Sequence, residues 1–198
     1  MAKSFAPLLV LALLGAAGCG NSKEEAPAAK PPPRKPVDKS SWKEIETPVP
    51  VGKKLACAGL LPADKVEAKL GQKVEVVDDS KTDPDATSVC RLVALDKKGK
   101  PAEEVCMITL GCWSQWTVAE IKKKCDARGD QTSTDIGAFT CVQTVPAGTK
   151  ERHVVTVLEP DTRCRVVVNA GPYTYDVNQT RGCAQAVVDL VDRDSLKQ

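Results

Sequence analysis

The chain has 198 residues, with 28 Lys and Arg against 26 Asp and Glu, a formal net charge of +2. With no block of basic residues beyond a mixed-charge tail, this balance excludes a nucleic-acid binder that works by phosphate neutralisation. Only three Trp, two Tyr and two Phe are present, so a core must be built from Val, Leu, Ile and Ala, and covalent staples would help it.

At the start, Lys3 precedes an apolar run from Phe5 to Gly18 that ends in Ala16-Ala17-Gly18-Cys19. A short positive region, a greasy stretch and small residues before a cut site make a secretory signal. The run is too short to span a ~30 Å hydrocarbon core, which takes roughly 20 apolar residues. A cysteine directly after the small residues resembles the lipobox of bacterial lipoproteins, although Ala16 stands where Leu is usual. The resemblance implies that residues 1–18 are removed, that Cys19 is lipid-modified, and that the chain is held on a membrane of the bacterial cell envelope. Gly20, rather than Asp, resembles the rule that sends such proteins to an outer membrane where one exists.

Residues 19–54 read as a tether. Seven of the fourteen prolines fall between Pro27 and Pro50, Lys and Glu are interspersed, and little could form a core. In extended polyproline geometry at ~3.1 Å per residue, this segment reaches up to roughly 100 Å. Residues 55–198 form the single domain. A helix is expected over 61–70, with Pro62 in its first turn and Gly71 as its stop. A strand over 73–77, the polar loop 78–87 and strands over 88–95 and 103–110 follow. Thr117 and Glu120 make a capping box for a helix ending near Cys125. Strands over 138–145, 152–158 and 163–169 come next, then a helix over 179–192 whose Cys183, Val187, Leu190 and Val191 share one stripe. The order predicts an α+β fold: a mostly antiparallel sheet of about six strands packed by three helices.

Nine cysteines are present: Cys19, Cys57, Cys90, Cys106, Cys112, Cys125, Cys141, Cys164 and Cys183. With Cys19 taken by lipid, eight remain in an exported chain, and four disulfides are the default, with 105 connectivities open. No Cys-x-x-Cys pair occurs and His153 is the only His, so a zinc site is disfavoured and no metal or cofactor is expected. Strand parity turns Cys90, Cys106 and Cys164 towards the core, alongside Leu92, Ile108 and Val166, as suits staples.

Cys57 closely followed by Gly59-Leu60-Leu61-Pro62, then Leu70-Gly71, Cys90-Arg91-Leu92-Val93, Asp135-Ile136-Gly137-Ala138-Phe139 and a terminal helix together resemble a family of small secreted bacterial lipoprotein domains with a PsbP-like α+β architecture. The resemblance spans about 140 residues. It implies the fold and a Cys57–Cys90 bridge, and it carries no catalytic residues. For the others, the expected pairs are Cys106–Cys112 closing a turn, Cys125–Cys141 pinning the middle helix to the next strand, and Cys164–Cys183 fastening the last helix.

Few residues suggest chemistry. His153 beside Arg152 reads as a strand residue, with no Ser or Cys placed to use it as a base. Asp78, Asp79, Asp83 and Asp85 could gather Ca²⁺, but the loop lacks the Gly and distal Glu of a calcium loop. The Asn178-Gln179-Thr180 sequon reads as a helix opening, and Glu103-Glu104 and Lys122-Lys123-Lys124 read as solvated faces. Exposed together, Trp113 and Trp116 would be the candidate partner surface, since such aromatics dominate binding hot spots; buried, they are the largest pieces of the core, and burial of at least one is expected. The expectation is therefore a lipid-anchored, non-enzymatic envelope domain that presents a surface to an envelope protein or small ligand. The alternative is a hydrolase or calcium-dependent protein using the acidic loop 78–85.

Overall fold

The computed structural model describes residues 49–198; the signal, Cys19, Trp42 and most of the tether lie outside the described residues. A one-turn helix α1 (Cys57–Leu60) leads into α2 (Ala63–Leu70). The strands are β1 (Val74–Asp78), β2 (Ser88–Leu95), β3 (Pro101–Gly111), β4 (Gln131–Ser133), β5 (Phe139–Ala147), β6 (Lys150–Leu158) and β7 (Arg165–Ala170). Helix α3 (Val118–Arg128) separates β3 from β4, α4 (Val177–Leu190) follows β7, and a 3-10 turn, Ser195–Lys197, closes the chain. All seven strands join one antiparallel sheet in the order β1-β2-β3-β7-β6-β5-β4. The α+β class is as expected. The seventh strand, β4, is three polar residues, too short to show an alternation, and α1 is a single turn.

Local signals set the helix ends. Pro62, with no N–H to lose, sits at the N-cap of α2 rather than inside it, and Gly71 closes the helix in the left-handed conformation. Thr117 and Glu120 form the reciprocal capping box of α3. The Asp176 carboxylate accepts from the Asn178 amide and opens α4 two residues earlier than expected.

Period-two alternation then divides the sheet into two faces. On one, Cys106, Ile108 and Leu110 of β3 meet Val166 and Val168 of β7 and Val155 and Val157 of β6, all fully buried. Helices α1, α2 and α4 cover this face through Leu60, Leu61, Val66, Ala184 and Val187. Each fully buried Leu, Ile or Val stabilises the fold by roughly 1.5–3 kcal/mol. Val49 is also fully buried in this core, so packing begins ahead of the expected boundary at residue 55. On the opposite face α3 lays Ile121 and Cys125 over Phe139, Cys141 and Leu158, a smaller apolar cluster.

The described residues contain three disulfides. Cys57–Cys90 matches the pairing that the family resemblance implies, and Cys125–Cys141 ties α3 to β5 as expected. The third is Cys112–Cys164, which corrects two expected pairs. Cys106 cannot reach Cys112 because β3 continues to Gly111, and six steps of extended chain separate them by about 20 Å. Cys164 precedes Arg165, which pairs with Gly111, so register places it beside Cys112 rather than Cys183. Cys106 and Cys183 are buried and unbonded.

Candidate functional site

On the α3 side, pairing arranges side chains in cross-strand rows. One row runs Arg91, Met107, Asn169, Val154, Gln143 across five strands, and every member is half-buried. Among the described residues only α3 packs over this face, at one end, and it leaves most of that row without a covering element. A cleft of about 190 Å³ opens between α3 and the sheet, lined by Lys124 and Arg128 of α3 and by Gln143, Val154, Thr156 and Arg165 of the strands. A wider depression of about 590 Å³, bordered by Met107, Arg152 and Asn169, shares Val154 with it. Another hollow of about 510 Å³ beside β1 is lined mainly by Ala, Leu and Val, with Glu75 its one titratable group, and offers no convergent polar set.

The cleft is cationic. Arg165 opens β7 opposite Gly111, and its guanidinium and the Trp116 indole lie against that glycine: a Cβ at Gly111 would make only ordinary contacts, 3.9 Å from Arg165 Nε and 3.8 Å from Trp116 Nε1. Arg165 Cζ stands 4.5 Å from the Trp116 ring centroid, and Lys124 Nζ 4.5 Å from the same centroid. The π-face of the indole attracts both cations. Burial pulls the Arg165 guanidinium below the usual arginine range, with the charge of Asp83 opposing, yet a guanidinium stays protonated at neutral pH. Its Nε is buried without a hydrogen-bond partner among the described residues. Arg128 is already neutralised: it donates to Asp130 Oδ2 at 2.6 and 3.0 Å. Lys124 and Arg165 therefore supply the positive charge that a ligand would meet.

The two tryptophans do not act together. Trp113 packs against the main core and Trp116 against the α3 cluster, on either side of the bent connector between β3 and α3. Trp113 Nε1 donates to the Lys53 carbonyl at 2.7 Å, and Lys54 Nζ lies 4.8 Å from its ring centroid, so this residue clasps the end of the tether to the domain. Lys124, read from sequence as part of a solvated face, is exposed as expected and also stands over Trp116. Arg165 was legible only as the outward neighbour of Cys164; nothing local marked the bare strand beside it.

The acidic loop is spent on its own backbone. Asp78 accepts from the amides of Cys57 and Ser80 at 3.0 and 2.9 Å, Asp79 pairs with Arg91 at 2.9 Å, and Asp83 accepts from the Asp85 amide. Burial works to raise the Asp78 carboxyl, but the Ser80 and Cys57 hydrogen bonds, with Lys81 nearby, outweigh it and hold the group below the ordinary aspartate range. A depressed folded-state value means stability that is present above the ordinary pKa and lost as pH falls through the folded one. Urea midpoints at pH 7, 4 and 3 are expected to fall less steeply in Asp78→Asn than in the wild type.

His153 Nδ1 lies 3.5 Å from Thr144 Oγ1, and among the described residues no Ser or Cys is joined to it. Glu159 is the buried acid. Burial raises its carboxyl while the Thr162 hydroxyl at 2.6 Å and the Asp161 amide at 2.9 Å work against that rise; it shapes the turn into Cys164. Cys125, Asp130 and Cys141 bring ligand-type atoms within 4.8 Å of one another, the one such trio among the described residues. Those sulfurs are bonded together and Asp130 is held by Arg128. Comparison with protein-family models, curated proteins and solved structures gives no match to this chain.

Proposed function

We propose that the protein is a lipid-anchored domain of the bacterial cell envelope that binds rather than catalyses, using the open face of its sheet. The observation that supports this is the uncovered half-buried row above the α3 cleft, where Lys124 and Arg165 converge on Trp116. Half-buried mixed surface beside a small cationic cleft suits an anionic group, a carboxylate or phosphate, carried by a larger partner. The tether gives that surface reach from the membrane, and Cys19 carries the anchor; a multi-chain lipid holds firmly where one chain gives only marginal binding.

Two measurements test the reading. Fatty-acid labelling of the full chain in a bacterial host is expected to mark the wild type, while Cys19→Ala loses both label and membrane retention; an unlabelled wild type removes the anchor. For the cleft, inorganic phosphate and succinate are titrated into the ¹⁵N-labelled domain. Amide shifts at Lys124, Gln143 and Arg165 that vanish in Lys124→Gln, an exposed helix position, support an anion site. Flat titrations with both probes overturn it.

A further inference from the structure

Cys106 lies in the middle of β3 on the main-core side, paired in register with Ala170 of β7. Cys183 lies in the middle of α4 on its buried side, next to Ala184. Helix α4 packs across both β7 and β3, and the two thiols, each fully buried, lie in the same core cluster beneath it and interact with one another. The other six domain cysteines are already bonded in pairs. Each of these two sulfurs therefore faces one available sulfur, the other.

We propose that Cys106 and Cys183 form a fourth disulfide, which fixes the centre of the sheet to the helix that covers it. The donor is a disulfide R–S–S–R acting by thiol–disulfide exchange, the chemistry by which the other three bridges also arise. One cysteine thiolate attacks a donor sulfur, breaks the donor S–S bond and releases the first RS⁻. The second thiolate attacks the protein sulfur of the mixed disulfide and releases the second RS⁻. Two cysteine thiols are oxidised, one donor disulfide is reduced to two thiols, and the two protons pass to the leaving groups.

The order of events follows from burial. Burial pushes the Cys106 thiol well up, with the Cys183 contact and the charge of Glu104 adding to it, and the thiolate is the reactive form. Once α4 has docked, neither sulfur ionises readily or meets a donor. The exchange therefore takes place while α4 is still undocked.

The test is a peptide map. Reduced, denatured chain is refolded in a buffer of reduced and oxidised glutathione, then unfolded without reductant in excess alkylating reagent and digested. A peptide pair joining Cys106 to Cys183, two hydrogens lighter than its parts, with neither residue alkylated, supports the bridge. Alkylation of both residues, or either one linked elsewhere, overturns it. The same map on chain recovered from a bacterial periplasm separates this inference from the export reading. Eight alkylated domain cysteines there would count against export, while the refolded sample still decides the pair. Cys106→Ala/Cys183→Ala serves as the reference, expected to show three bridges in both samples.

Discussion

Gly171→Ala is expected to destabilise the domain by at least about 3 kcal/mol, at or beyond the top of the usual overpacking range. A Cβ there would sit 1.9 Å from the Glu104 carbonyl oxygen, 2.8 Å from its carbon and 3.1 Å from the Val105 oxygen. These are backbone atoms of the neighbouring strand, so no side chain can swing aside. Relief requires β3 and the end of β7 to separate, which breaks the 3.0 Å bond from the Gly171 amide to Val105 and disturbs the Thr174 hydroxyl that donates to the same carbonyl. Gly182→Ala is the contrasting case. It lies inside α4 with nothing within 4 Å of its Cβ position, so alanine should stabilise by about 0.5–1 kcal/mol through helix propensity. Urea unfolding of both variants checks the pair; equal and small effects would show that the β3–β7 approach is looser than described.

The second large effect belongs to Cys112–Cys164. Its cysteines are 52 residues apart, and in the chain-entropy account a bridge of that span stabilises by about 4 kcal/mol, less any native strain. Cys112→Ala/Cys164→Ala is expected to lower the unfolding free energy by roughly 3–4 kcal/mol while circular dichroism keeps its α+β signature at low temperature. The Cys125–Cys141 bridge closes a loop of only 16 residues, so Cys125→Ala/Cys141→Ala should cost less, about 3 kcal/mol. If the order of the two losses is reversed, local packing rather than loop closure governs these bridges.

The readable parts of the chain were those with local causes. The Thr117–Glu120 box, the Gly71 stop and the alternation in β2, β3 and β7 act within a few residues, and each produced the expected element. Cys125 and Cys141 flank one helix-to-strand connection, so their pairing was local as well. Cys112–Cys164 was not, because it depends on β3 pairing with β7 across the sheet, a choice that no stretch of sequence announces. The same applies to the cleft. Lys124, Trp116 and Arg165 lie on a helix, a connector and a strand, and only the register of Gly111 against Arg165 brings them to one point. Trp113 and Trp116 looked like a pair because they are neighbours in sequence, yet the bent connector between β3 and α3 sends them to different clusters.

The central seam has a kinetic consequence. Strands β1 to β3 form one meander and β4 to β7 another, and the strand pairing that joins them runs where residues 106–111 meet residues 165–170. A chain made from its N-terminus therefore holds an unfinished edge on β3 until about sixty further residues have emerged. Non-local pairing of this kind is slow, since a long loop must close before any contact rewards it. Throughout that wait β3 offers an apolar, unpaired edge, the form of surface on which chains aggregate. Productive folding is thus decided late, by the arrival of β7, and a holding partner would have to mask residues 105–110 until then.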